Sequence, residues 1–306
     1  MIISICMCTF NGELYLKEQL DSLVQQTVLP DEIVVYDDCS QDRTVDILLE
    51  YATKYSAINW CIYKNEHNVG WRVNFKKALE STSGDIIFFC DQDDIWMPDK
   101  IKRMRDVLLS NSQIDVLVAD FMPFYSEGSA EKHIKIHSKN TGKVSIINPS
   151  EKLIYCQRPG CVFAFRSGIK KDFLLCWSQE FAHDGLMWRI ACLRRKLYHI
   201  DYVAIKFRRH QNNASSNRYR LLSKERAVLE KKTNKQFLSC FRMIESSRII
   251  EDEHQILRTI IKFLEMREKY YSSPSIRNFL KLGRFIKCYR KPSSIFKDLG
   301  ILLHRA

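Results

Sequence analysis

Four times in the first 94 residues a short apolar run ends in a cluster of polar, chemically capable side chains. Ile2–Cys8 reads as a buried strand and runs into Thr9–Glu13. Glu32–Tyr36 runs into Asp37–Asp42, Ile58–Tyr63 precedes Asn68–Asn74, and Asp85–Cys90 ends in Asp91–Asp94. Between these strands, Glu13–Gln26, Thr44–Tyr55 and Val73–Leu79 carry Leu, Val and Ile at helical spacing. Strands that alternate with helices at such short intervals predict a largely parallel sheet covered on both faces. Ligands then sit beyond the carboxyl ends of the strands, where all four clusters fall.

Further along, a helix and the strand Asp115–Ala119 fill 101–125, and Ser126–Lys143 reads as a polar loop. A Gly-containing strand, Gly160–Arg166, precedes a helix near Asp184 and the strand Leu197–Ile205. From about Leu221 the pattern is helical and basic. The net charge of +12 is confined to that end, since residues 215–306 carry 21 basic and 9 acidic side chains and the rest balances. The division predicted is a catalytic α/β domain over 1–214 and a basic helical region over 215–306 that meets something anionic.

The 11 cysteines show no CxxC pair and several lie in apolar runs, so they read as reduced, buried, small hydrophobes of a cytoplasmic protein. The start, MIISICMCTFNG, lacks a basic n-region and is not read as a signal peptide. No apolar run approaches the ~18 residues a membrane span needs. The absence of G-x-G-x-x-G after the first strand excludes a dinucleotide-binding enzyme, and no nucleic-acid module is present.

Phe88-Phe89-Cys90-Asp91-Gln92-Asp93-Asp94-Ile95-Trp96 carries the sharpest chemistry: three carboxylates at a strand end suit a hard divalent cation that also holds a diphosphate. A solvated acidic turn or an acidic helix start is the plainer alternative. The ordered set ISICMCTFNGELYL, EIVVYDDCSQDRT, NEHNVGWRVNF, GDIIFFCDQDDIW and HDGLMW resembles the family 2 inverting glycosyltransferases, most closely bacterial rhamnosyltransferase-like enzymes, over residues 1–214.

That resemblance implies a GT-A fold, a Rossmann-like and mostly parallel sheet flanked by helices. It implies metal-dependent transfer of a sugar from a nucleoside-diphosphate donor, dTDP-rhamnose or a UDP-hexose, to a saccharide or lipid-linked acceptor of surface polysaccharide. Mg2+ or Mn2+ is the implied cofactor. Thr9, Asn11 and Glu13 border the nucleotide, with helix capping the alternative for Asn11. Asp38 accepts a hydrogen bond from a uracil or thymine N–H. Asn68 and Asn74 flank Gly70 near phosphate or ribose. Asp93 is the implied direct metal ligand, Asp91 holds ribose or metal-bound water, and His210 completes the metal shell or touches the diphosphate. Trp96, Gly160 and His183 fall on the acceptor side, with a core tryptophan the alternative for Trp96. Asp184 is the implied catalytic base, against the alternative of an acid at a helix start.

A sugar nucleotidyltransferase and a non-catalytic nucleotide-sugar-binding protein are the rivals. The first lacks its Gly- and Lys-rich loop in CTFNGE; the second is opposed by the retained Asp91, Asp93 and Asp184. In the basic tail, Phe279–Tyr289 and Ile295–Leu303 are the amphipathic candidates for the inner face of the plasma membrane, with a helical cap or a homodimer arm as alternatives.

Overall fold

The computed structural model describes residues 1–125, 138–210, 224–250 and 255–303. The chain opens with β1 (Ile3–Thr9), α1 (Glu13–Val24), β2 (Glu32–Asp37), α2 (Thr44–Lys54), β3 (Asn59–Lys64), α3 (Trp71–Ser81) and β4 (Ile86–Cys90). β1 pairs in parallel with β2 on one side and β4 on the other, and β2 pairs in parallel with β3. Every residue of β1 and β4 is buried, as expected of strands covered on both faces. This half of the sheet follows the sequence reading closely.

The second half is β5 (Ile95–Trp96), α4 (Lys100–Ser110), β6 (Val116–Tyr125), β7 (Val144–Ile146), β8 (Phe163–Arg166), α5 (Lys170–Leu175), α6 (His183–Leu193) and β9 (Leu197–Arg209). The sheet order is β3-β2-β1-β4-β8-β6-β9-β5, with β7 beside β9. Here the sheet takes in an antiparallel strand that the sequence reading did not specify: β8 is antiparallel to both β4 and β6. No α-helix lies between β6 and β8 in the described chain, and without a crossover helix a strand returns antiparallel. The predicted strand Gly160–Arg166 is a 3-10 turn over Gly160–Val162 followed by β8.

β9 runs four residues past the predicted end at Ile205, despite Lys206, Arg208 and Arg209. Its outer end pairs in parallel with β6 and in antiparallel with β5, delivering Arg208 and His210 to the loop after β4.

The C-terminal elements are α7 (Lys224–Ser246), α8 (Gln255–Ser272), α9 (Ile276–Leu282) and α10 (Phe296–Leu303). The predicted boundary at 214/215 and most of the polar loop after Tyr125 lie outside the described residues. Phe241, Ile260 and Phe263 share one buried apolar cluster with Ile5, Phe88 and Phe165, so the core continues from the sheet into the helices. Inside the helical region, the Arg267 guanidinium donates to both oxygens of Asp298 (2.7 and 3.1 Å) and to Glu230 (3.1 Å). The Tyr271 and Tyr289 hydroxyls also donate to Asp298, a carboxylate with no exposed surface. All eleven cysteines are free and most are buried, as their apolar surroundings predicted. Among the described residues no helix is long and apolar enough to cross a membrane.

Candidate active site at the strand ends

The loops after β1 and β2 are laced together. Thr9 Oγ1 donates to Asp37 (2.9 Å), Asn11 Oδ1 accepts from the Gln41 N–H (3.0 Å), and Glu13 accepts from the Arg43 N–H (2.8 Å). Asn11 adopts φ +45°, the left-handed region that Asn tolerates better than most residues. Its N–H is held by Ser40 and the Gly12 N–H by Thr44, so no side chain caps α1 in the ordinary way. Thr9 is buried and faces inward, which makes it a support for the loop; Asn11 and Glu13 remain exposed at the rim.

Asp38 is nearly buried and organises the next loop. Its Oδ1 accepts from Asn65 (2.9 Å) and the Val69 N–H (2.8 Å), and its Oδ2 accepts from the Gly70 N–H (2.9 Å). A carboxylate offers about four acceptor positions, so one on Oδ2 remains for a ligand N–H. Gly70 sits at φ +85° just before α3, a conformation that favours glycine. Asn68 is exposed and its side chain accepts from the same Gly70 N–H (3.1 Å). Asn74 is different from the sequence expectation. Its amide donates to the Tyr36 carbonyl (2.6 Å) and accepts from Asn65 (2.8 Å), and it is buried. Both ends are committed to fastening α3 to β2, so Asn74 supports the site from behind. Asn65, which opens NEHNVGWRVNF with no role assigned to it there, is the hub that links Asp38 to Asn74.

The loop after β4 is tied to the first one by Gln92, which accepts from the Phe10 N–H (2.8 Å) and donates to the Phe10 carbonyl (3.0 Å). Asp93 and His210 meet: the His210 Nε2 lies 2.8 Å from a carboxylate oxygen of Asp93, and Tyr15 packs on the imidazole at 4.9 Å. Arg208 is buried beneath them. Its Nε donates to the Asp93 carbonyl (2.8 Å), a terminal nitrogen donates to Glu18 (2.8 Å), and its backbone N–H donates to Asp94 (3.0 Å). Its guanidinium lies over Tyr15 and Phe124, each 4.5 Å away. Arg208 therefore positions the acidic loop.

Trp96 also departs from its expected place. It is buried, with the Lys100 ammonium 3.2 Å from its ring centroid and Phe88 at 5.8 Å, so it is core and not an acceptor wall. Lys100 is wholly buried, donates to the Cys161 carbonyl (2.7 Å), and is pushed down to about 7 by that burial.

Asp184 stands half-buried in the first turn of α6 and accepts from the Gly185 N–H (2.6 Å). His183 before it is buried, stacked on Phe75 at 3.8 Å and edge-on to Phe89 at 4.7 Å, with neither ring nitrogen hydrogen-bonded. Burial holds its imidazole down at about 4, so it is neutral. It is a packed wedge under Asp184 and does not face an acceptor. Gly160 makes room for it: a Cβ there would lie 2.5 Å from His183 Nε2 and 3.3 Å from the Asp184 Cβ.

The acidic loop and α6 converge. The carboxyl of half-buried Asp91 is raised to about 7 by desolvation first, then by the charges of Asp93 and Asp184. Asp91 thus feels residues separated by some ninety positions in the chain. Asp94 is raised well above the usual carboxylate range, by burial and then by Asp93 and Asp91, and the buried Cys161 thiol is raised likewise.

Ligand-type atoms of Asp91, Asp94 and Cys161 lie within 4.8 Å of one another. That trio suits a hard cation poorly, because Asp94 and Cys161 are both buried and a thiol sulfur is a soft donor. Asp93 with His210 offers better donor chemistry: a carboxylate and an imidazole 2.8 Å apart and partly accessible, next to Asp91, whose charge repels that of Asp93 and which a divalent cation would relieve.

A model of the family described as Glycosyl transferase family 2 matches residues 4–173. The dTDP-rhamnosyl transferase RfbG of Shigella flexneri is 28% identical over 222 residues, which is 68% of this chain and 72% of that protein. The crystal structure of S. aureus TarS 1-349 in complex with UDP-GlcNAc superposes with TM-score 0.64 at 20% identity, covering 94% of this chain and 81% of that one. The mannosyltransferase PcManGT from Pyrobaculum calidifontis, in complex with GDP-Man and Mn2+, superposes with TM-score 0.52 at 12% identity, covering 99% and 87%. At these identities the two structures speak to the shared fold.

Proposed function

Since the chain belongs to glycosyl transferase family 2 and is a glycosyltransferase, we propose that it moves a sugar from a nucleoside-diphosphate donor to a saccharide hydroxyl with inversion at the anomeric carbon. The observation that carries this reading is a proximity: ligand-type atoms of Asp91 and Cys161 lie within 4.8 Å of each other, and a Cβ on the neighbouring Gly160 would lie 3.3 Å from the Asp184 Cβ, so the acidic loop and the start of α6 flank the same short segment. The setting is surface-polysaccharide synthesis, and the donor is dTDP-rhamnose or a UDP-hexose. The name of the Shigella relative supports the first, and the UDP-GlcNAc bound by TarS supports the second.

In this mechanism the one free acceptor position of Asp38 receives the N–H of a uracil or thymine ring, which a carboxylate selects. Asn11, Glu13 and Asn68 border the nucleotide from the exposed rims of the first three loops. Asp91 and Asp93, with His210, would hold Mg2+ or Mn2+, which when bound would supply positive charge to offset that developing on the departing phosphate. Asp184 takes the proton of the attacking hydroxyl while the C–O bond to the nucleoside diphosphate breaks on the opposite face. Holding donor and acceptor against each other replaces a bimolecular encounter. Arg208, Gln92 and Asn65 keep the loops in register without touching substrate.

The C-terminal helices supply a membrane-facing surface at the inner face of the plasma membrane. Ile276 and Leu280, 66% and 68% exposed, lie one turn apart on α9, with Arg277 and Lys281 next to them in the chain. Apolar side chains among cations suit an anionic bilayer. α10 fits less well as a second contact, since its Asp298 is turned inward to Arg267.

The test is turnover of a panel of UDP-, dTDP- and GDP-sugars with a saccharide acceptor, with and without EDTA. The reading expects one base class to be used, activity lost to EDTA and restored by Mn2+ or Mg2+, and a product of inverted anomeric configuration. Retained configuration, or full activity in EDTA, overturns the corresponding part.

A further inference from the structure

A cavity of about 320 Å3 opens beside Asp184, and its far wall belongs to the basic C-terminal region. Thr233, Gln236 and Phe237 reach it from α7, and Arg290 from the segment after α9. The sheet side contributes Arg72 and Asp184. We propose that α7 and Arg290 build the acceptor subsite, and that the acceptor presents an oxyanion, a phosphate or a carboxylate, to Arg72 and Arg290 beside the hydroxyl that Asp184 deprotonates. This rests on the reading of Asp184 as the base.

The volume lies at the small end of the range for small-molecule sites, about 300–1,000 Å3, enough for a sugar unit with its substituent. The lining mixes an aromatic face with an amide and a hydroxyl. Phe237 offers a flat apolar surface to the C–H face of a pyranose, and Gln236 and Thr233 offer hydrogen bonds to its hydroxyls. Phe237 is itself braced, edge-on to Tyr155 at 6.5 Å and under the Arg189 guanidinium at 5.0 Å. Arg189, also in the lining, is fixed by the Ile154 carbonyl (2.6 Å) and its buried Nε–H has no hydrogen-bond acceptor.

The charge is lopsided. Three guanidiniums border the space, opposed by Asp184 and Glu180. Among the described residues neither Arg72 nor Arg290 has a carboxylate within salt-bridge distance; Arg72 rests on the Trp71 ring at 4.2 Å and its buried Nε–H is unpartnered. Burial lowers the Arg72 guanidinium, with the charge of Asp184 opposing that shift, so the cation is poorly solvated where it stands. A bidentate oxyanion satisfies such a group better than a neutral hydroxyl does. Because the excess of positive charge lies in the C-terminal region, the same segment that closes the cavity supplies Arg290.

The experiment uses the full chain saturated with whichever nucleoside diphosphate the donor panel identifies, so that the donor diphosphate site is filled. Three probes are titrated by calorimetry: citronellyl phosphate, methyl glucuronide and methyl glucoside. At least one oxyanion probe should bind tenfold or more tighter than methyl glucoside. Arg290→Gln should weaken it at least tenfold, and Phe237→Ala should weaken it with the nucleotide affinity retained. Lys232→Gln removes an equal charge from an exposed position on α7 outside the cavity and should change nothing. Binding of citronellyl phosphate points to a phosphate-bearing carrier, and binding of methyl glucuronide to an acidic sugar. No preference for either oxyanion, or equal losses from Arg290→Gln and Lys232→Gln, overturns the proposal. An inactive Asp184→Asn alongside that negative result removes the subsite alone; an active Asp184→Asn removes the base, whatever the probes do.

Discussion

Gly160→Ala is the substitution whose consequence follows most directly from the packing around Asp184. The added methyl would stand 2.5 Å from His183 Nε2. Ordinary contact is ~3.5 Å or more, so something must move by ~1 Å. His183 has little room, being pressed on Phe75 at 3.8 Å with Phe89 against its other edge. The displacement therefore passes to the start of α6 and to Asp184, whose Cβ is itself 3.3 Å from the new methyl. Overpacking of this kind costs about 1–3 kcal/mol of stability, and a ~1 Å misplacement of a reacting group costs about 10²-fold in rate. Urea unfolding and kcat of sugar transfer measure the two effects, with nucleotide affinity as the control for the donor side. Gly168→Ala, where nothing lies within 4 Å of an added Cβ, should leave both unchanged. In the double variant with His183→Ala the stability losses should fall short of their sum, because the clash has lost its second partner. If Gly160→Ala unfolds and turns over like Gly168→Ala, the wedge under Asp184 is not there.

His183 also gives stability a pH dependence. Its folded-state value, near 4, is depressed below the ordinary 6.5, so its contribution is whole above about 6.5 and is lost as pH falls toward 4. Between pH 7.5 and 5 the loss is about 2 kcal/mol; comparing urea unfolding of the wild type with His183→Leu at both pH values isolates it, and equal pH responses would remove the imidazole from the account. Arg267→Met leaves the fully buried Asp298 without its cation, and breaking such a pair costs about 3–5 kcal/mol. A change under about 1 kcal/mol in the unfolding free energy would mean that the cluster is solvated in solution.

The half of the fold built on β1 to β4 was legible because β1 and β4 are fully buried, unbroken apolar runs, β2 is nearly so, and each strand, the more exposed edge strand β3 included, leads into a polar loop. The antiparallel entry of β8 was not legible. Phe163–Arg166 is apolar and short, and nothing in such a run states its direction. The charged end of β9 was missed because Arg208 looks like a surface residue; its burial depends on Tyr15, Phe124 and Glu18, far away in sequence. The site shows the same divide. The acidic loop, Asp184 and His210 carry their chemistry in the residue type, and that is what singles them out in the sequence. Asn74, Trp96 and His183 were named by the same motifs, but the fold turns them inward, where they hold the loops and α6 in place. Lys100 lies in no motif, and Asn65 opens NEHNVGWRVNF with no role assigned to it, since their importance lies in what they bond across the sheet ends. The wall of the cavity beside Asp184 could not be read either, because α7 reaches it from some fifty residues further along the chain.

The central claim is that Asp184 accepts a proton in the cleft where Asp91 and Asp93 hold the donor. Single-turnover transfer by Asp184→Asn, run beside calorimetric titration of the donor nucleotide, addresses it most directly. The account predicts a rate lower by about 10²–10⁴-fold with nucleotide affinity within a few-fold of wild type. A variant that transfers sugar at the wild-type rate would contradict it.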